Sequence, residues 1–95
     1  MEFESRIFKD PLTVILDVRT EGEFLSGHIS GAINLEVTNV NFYKSIETLD
    51  KEKSYYVYCR SGGRSTSACG LMARSGFKKL YNLDGGIMSY EGKIE

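Results

Sequence analysis

The chain is poor in the residues that most often betray a site. It has two cysteines, one histidine and no tryptophan among 95 residues. Two cysteines, Cys59 and Cys69, do not make a disulfide framework. The four closely spaced Cys and His ligands of a zinc site are missing, so no metal is expected. A cysteine nucleophile paired with a histidine base would have to use His28. No apolar run is long enough to span a bilayer. The first ten residues, MEFESRIFKD, lack the apolar core of a signal peptide. The cytoplasm is therefore the expected location. Charge imbalance is absent too, with twelve Lys and Arg against thirteen Asp and Glu. That balance argues against nucleic acid or an anionic membrane as partner. There is no repeat, low-complexity segment or linker, and 95 residues suit one domain spanning 1–95.

What is present is an alternation. TVILDV (Thr13–Val18) is a continuous apolar and β-branched run, predicting a strand buried on both faces. TEGEFLSG (Thr20–Gly27) has acids early and a late glycine, as a short helix does. AINL (Ala32–Leu35) is a second strand, and Phe42, Ile46 and Leu49 fall on one helix face. SYYVYC (Ser54–Cys59) is a third strand. STSACGLMARSG places Ala68, Leu71, Met72 and Ser75 on one stripe, with Gly76 set to end the helix. KKLYNL (Lys78–Leu83) is a fourth strand, DGG turns the chain, and IMSYEG reads as a short helical end. Strands alternating with helices predict an α/β fold, a parallel sheet covered by helices on both faces. Ligands of such folds bind beyond the carboxyl ends of the strands.

One strand ends there in a thiol. In YYVYCRSGGRSTSACG, Cys59 is followed by two glycines and two arginines before a helix begins at about Ser65. Cysteine reacts as its thiolate, and a free thiol has a pKa of about 8.5. Gly62 and Gly63 let successive backbone N–H groups turn inward as an anion nest. The helix adds the positive end of its dipole, and Arg60 and Arg64 add formal charge. All these effects favour a thiolate and an anionic substrate, with no histidine base. The bland alternative is an inert cysteine buried at a strand end, which would not need an electropositive loop.

These residues resemble a known family. CRSGGRS (Cys59–Ser65) is similar to the active-site loop of rhodanese-like sulfurtransferases. DVRTEGEFLSGHISGAINL (Asp17–Leu35) resembles the family's first signature, and Gly76–Phe77 with LDGGIMSYEG (Leu83–Gly92) its closing segment. The resemblance implies a doubly wound α/β fold and a persulfide mechanism without a cofactor. Cys59 would take a sulfane sulfur from a small-molecule donor such as thiosulfate. It would pass the sulfur to cyanide, a thiol or a protein. The loop residues Arg60, Ser61, Gly62, Gly63, Arg64 and Ser65 would bind the donor. The chain departs from the family pattern at three points. Only sixteen residues precede Asp17, so the strand and helix that usually open the fold are abbreviated or irregular. Tyr90 stands where the closing signature often has Trp, and Glu23 stands where two-domain thiosulfate sulfurtransferases often have a cation.

The remaining candidates are supports. Asp17 and Arg19 end the first strand on the same sheet edge as Cys59. Arg60 is read as pointing to the donor. Arg64 either binds anion or pairs with an acid such as Asp17 and braces the loop. His28, in a turn before a strand, fits a structural hydrogen bond better than a base. Cys69 fits a buried place on the helix stripe better than a resolving thiol, and Tyr55, Tyr56 and Tyr58 fit strand packing. Two other functions are weighed. A cysteine phosphatase or arsenate reductase needs five residues between Cys and Arg, and here there are four, with Ser65 at the next position. A non-catalytic docking module commonly lacks the cysteine, which this chain keeps.

Overall fold

The computed structural model describes residues 12–95. The expected abbreviated opening lies mostly outside these residues. Four strands and three helices follow one another: β1 (Thr13–Asp17), α1 (Glu21–Ser26), β2 (Ile33–Asn34), α2 (Phe42–Glu47), β3 (Ser54–Tyr58), α3 (Gly63–Arg74) and β4 (Lys79–Asn82). A three-residue 3-10 turn, Ile87–Ser89, stands in place of the expected helical end. All strand pairs are parallel, in the order β2-β1-β3-β4. The chain leaves β1 toward one edge, returns across it to β3, and continues to the other edge. With right-handed crossovers this sends α1 to one face and α2 and α3 to the other. The winding reverses between β1 and β3, so a crevice opens beyond the ends of those two strands.

Two apolar clusters lie on the two faces. On one, Leu16, Val18, Tyr55 and Val57 pack with Phe42 and Ile46 of α2 and Ala68 and Met72 of α3. On the other, Tyr56 and Tyr58 pack with Ile29 and Leu83. The second face is covered differently from the first. Helix α1 buries no residue, so the cover comes from Ile29, Ala32, Ile87 and Tyr90 in turns around it. The expectation that β1 is buried on both faces holds only at its carboxyl half. Leu16 and Asp17 are buried, whereas Thr13, Val14 and Ile15 are half-exposed.

Local sequence accounts for the helix ends. Thr20 caps α1, its hydroxyl accepting from Glu23 N–H while the Glu23 carboxylate accepts from Thr20 N–H. That reciprocal pair satisfies two donors that a helix start leaves open. Helix α3 ends in a Schellman arrangement. Phe77 N–H donates to Met72 C=O and Gly76 N–H to Ala73 C=O, with Gly76 at φ +101°. Phe77 then folds back into the same cluster as Met72. The start of α3 is different. It begins at Gly63, two residues before the predicted start, with Gly62 in the left-handed region and no capping side chain.

Candidate active site

At the end of β1 the chain builds a closed polar cluster. Asp17 is 0% exposed and Arg19 6%. Asp17 Oδ1 accepts from Arg19 N–H at 2.9 Å and from its Nε at 3.0 Å. Oδ2 accepts from Arg19 Nη2 and from the Tyr58 hydroxyl, both at 2.7 Å. Arg19 Nη2 also donates to Gly27 C=O at the end of α1, and Asn34 Nδ2 donates to the carbonyls of Asp17 and Arg19. The Tyr58 hydroxyl in turn accepts from Ile29 N–H at 3.1 Å. Burial and the neighbouring carboxylate push the Tyr58 hydroxyl well above its ordinary range, so it stays a donor to Asp17. The tyrosine expected only to pack is thus also a rivet between β3, β1 and the turn after α1.

One residue past Tyr58 lies Cys59, 1% exposed. Its Sγ accepts from Gly62 N–H at 3.1 Å and lies 3.5 Å from Ser65 Oγ. The Ser65 hydroxyl is also 3.0 Å from Gly62 C=O. It can donate to that carbonyl when sulfur carries a proton, or rotate to donate to sulfur when it does not. Burial pushes the thiol up. The Ser65 hydroxyl and the backbone N–H groups of Ser65, Gly62 and Ser61 oppose it and hold Cys59 below its ordinary value. The arrangement supplies a polarised sulfur with fixed donors around it.

The segment after β4 holds this loop in shape. Ile87 N–H donates to Cys59 C=O at 2.9 Å and Met88 N–H to Arg60 C=O at 3.2 Å. Gly86, at φ +63°, lies so close to the loop that a Cβ would overlap the Arg60 carbonyl and the Ser61 amide. Gly62, at φ +113°, meets the Asp84 carbonyl in the same way. Gly63 has no positive φ, and a Cβ there would meet nothing within 4 Å. Of the two loop glycines, then, only Gly62 is required by its conformation.

The two loop arginines are not equivalent. Arg60 is exposed, and among the described residues its guanidinium has no partner. Arg64 makes a two-pronged ion pair with Glu23 of α1, Nη1 to Oε1 at 2.6 Å and Nη2 to Oε2 at 2.9 Å. The expected partner Asp17 is already filled by Arg19 and Tyr58. The Arg64 guanidinium, helped by Thr20, draws the Glu23 carboxyl down to about 2 against the cost of burial. Glu23 is the supporting residue that sequence reasoning did not assign. Its S/T-x-x-E spacing to Thr20 was the available signal.

His28 is held by Phe24 of α1 and is not among the groups bonded to the Cys59 sulfur. Its Nδ1 lies 2.9 Å from Phe24 C=O and its ring stacks on Phe24. Cys69 is half-buried against the α2–α3 cluster, and burial pushes its thiol up to about 11. No group of three or more His, Cys, Asp and Glu among the described residues could hold a metal ion. No helix among them is long and apolar enough to cross a membrane.

The site is thus a sulfur cradled at the strand-order reversal of a parallel α/β sheet. The rhodanese-like domain family matches residues 2–93, and the chain belongs to that family. It is 36% identical over 92 residues to the Bacillus subtilis protein named "Putative sulfurtransferase YtwF", covering 97% of this chain and 86% of that protein. It is 34% identical over 97 residues to the tRNA uridine(34) hydroxylase of Yersinia pestis, covering 96% of this chain but only 27% of that enzyme. Among solved structures, the Alr3790 protein of Anabaena superposes with a TM-score of 0.88 at 27% identity, over 99% of this chain and 78% of that one. A rhodanese from E. coli solved with anions superposes at 0.74 with 25% identity, over 87% of this chain and 96% of that one.

Proposed function

We propose that this chain is a single-domain sulfurtransferase that carries sulfur as a persulfide on Cys59. The observation that carries the reading is the buried Sγ of Cys59, 3.1 Å from the Gly62 N–H and 3.5 Å from Ser65 Oγ. The Cys59 thiolate attacks the outer sulfur of a sulfane donor. With thiosulfate the S–S bond of the donor breaks and sulfite leaves with the bonding pair. A new S–S bond leaves Cys59 as a persulfide anion. The N–H groups of Ser61, Gly62 and Ser65 and the Ser65 hydroxyl hold the negative sulfur. Arg60 meets the anionic part of the donor, and Arg64 with Glu23 holds the first turn of α3 in place. Gly63 is the first residue of that turn. Asp17 and Arg19 brace the neighbouring strand end. An acceptor thiol, cyanide or a protein thiol then attacks the outer sulfur of the persulfide and returns Cys59 to its thiolate. Two half-reactions through one covalent intermediate predict ping-pong kinetics.

The name of the Bacillus relative and the anions of the E. coli structure support this reading. Both cysteines are free among the described residues. A reducing compartment such as the cytoplasm suits a thiol that must return to its reduced form. The decisive experiment is intact-mass measurement after incubation with thiosulfate or with an alkyl persulfide. The parent and Cys69→Ala gain one sulfur, and Cys59→Ser gains none. Sulfur loading on Cys59→Ser, with its loss in Cys69→Ala, would sink the assignment.

A further inference from the structure

The ring of formal charges around Cys59 is nearly cancelled. Asp17 and Arg19 form one closed pair at the end of β1. Glu23 and Arg64 form another at the start of α3. Nη1 and Nη2 of Arg64 each donate to one oxygen of the Glu23 carboxylate, so the formal charge of Arg64 is offset by its partner before any substrate anion arrives. Only Arg60 remains as a loop cation without a partner among the described residues. Asp84 follows β4 with its backbone against Gly62. A polar hollow of about 310 Å³ on the β2 side is lined by Glu21 and Glu36, with Asn34, Asn39, Asn41 and Ser45, and by no cation. That hollow adjoins the end of β1, since Leu35 N–H donates to Asp17 C=O.

We infer that Glu23 sets the donor class of this site: by cancelling the charge of Arg64 it disfavours the thiosulfate dianion and favours sulfane donors with one negative charge or none, such as alkyl or protein persulfides. This rests on the sulfurtransferase reading. With such a donor the balance is simple. Cys59 thiolate attacks the outer sulfur of R–S–SH, the S–S bond breaks, and the thiolate RS⁻ leaves as the Cys59 persulfide forms. The departing RS⁻ carries a single charge, which one guanidinium can meet. Sulfite leaves with two, and the second has no cation of its own. Glu23 is a positioning residue here, acting through Arg64.

The geometry also provides a clean variant. In Glu23→Gln the remaining Oε1 still accepts from Thr20 N–H, so the cap of α1 is kept. The amide in place of Oε2 no longer accepts from Arg64 Nη2, and although Oε1 can still accept from Nη1, the negative charge that offset Arg64 is gone. The readout is the second-order rate of Cys59 persulfide formation, by quenched intact mass, with thiosulfate and with a short alkyl persulfide. The expected result is a rise of about tenfold in the thiosulfate-to-persulfide rate ratio, the scale of one charge no longer cancelled. A loss of helix packing alone would slow both donors together and leave the ratio still. The double variant Glu23→Gln/Arg64→Gln removes the pair without changing net charge, and its ratio stays within about twofold of the parent. An unchanged ratio in Glu23→Gln, or an equal rise in the double variant, overturns the role of Glu23 and leaves the sulfurtransferase reading standing. Failure of both donors to load the parent overturns the two together.

Discussion

Two adjacent strand ends face the same crevice and are built on opposite terms. Asp17 is paired with Tyr58 across β1 and β3, so the clusters at Asp17–Arg19 and Cys59–Ser65 are neighbours. At the first, every strong acceptor is filled: Asp17 meets Arg19 with both oxygens and Tyr58 with one. At the second, the sulfur has one backbone donor at 3.1 Å and a hydroxyl that it shares with Gly62 C=O. Both centres are buried, so exposure does not separate them. What separates them is spare capacity. A buried charge with all its partners is fixed in place, and replacing it is costly. A buried sulfur ringed by donors that are not fully used gains most when it becomes more negative.

The largest effect that tests this contrast is at the closed end. Asp17→Asn leaves Arg19 as a buried cation without its carboxylate and is expected to cost about 3–5 kcal/mol in urea unfolding. Tyr58→Phe, which removes one donor to Asp17 and one acceptor for Ile29 N–H, is expected to cost about 1–3 kcal/mol. In folded Tyr58→Phe the pH midpoint of Cys59 alkylation stays at the parent value. A matching shift would mean that the two ends are one electrostatic unit.

Next is the wall that the closing segment builds against the Cys59 loop. Gly86→Ala combines a positive φ with overlap against the Arg60 carbonyl. It is expected to cost roughly 2–4 kcal/mol and to slow sulfur loading, because the loop must move. Gly63→Ala meets nothing within 4 Å. It is expected to be neutral or to stabilise by up to about 1 kcal/mol, since alanine favours the first turn of a helix over glycine. Thermal unfolding of the two variants, side by side, would break the distinction if the costs were alike.

The smallest effect isolates the open end. Ser65→Ala removes the hydroxyl that stabilises the Cys59 thiolate. The Cys59 midpoint should rise toward that of an ordinary thiol, so alkylation at neutral pH slows while unfolding changes little. With Cys69→Ala as background, an unmoved midpoint would show that the backbone N–H groups act alone.

The strands were legible because β-branched and aromatic runs such as TVILDV and SYYVYC leave little else for the backbone to do. The family resemblance was equally plain, because its pieces recur in order along most of the chain. The helix start after Cys59 was read two residues late. Gly62 and Gly63 carry no capping side chain, and a glycine pair reads as a loop until its dihedrals are known. Glu23 was hidden for another reason. It lies on α1 while Arg64 lies on α3, and only the winding of the sheet brings them together. The DGG turn was seen, but not the contact of Gly86 with the loop. Close backbone approach is a tertiary fact without a local signature.

The clamp from Ile87 and Met88 onto the carbonyls of Cys59 and Arg60 has a consequence for the order of events in the cell. A ribosome delivers Cys59 well before it delivers Ile87. At a synthesis rate of roughly 5–20 residues per second, the gap lasts on the order of seconds. In that interval the thiol has been made but the carbonyls of its loop have no buttress. The cradle around Cys59 is complete only once β4 and the turn behind it have folded against the loop.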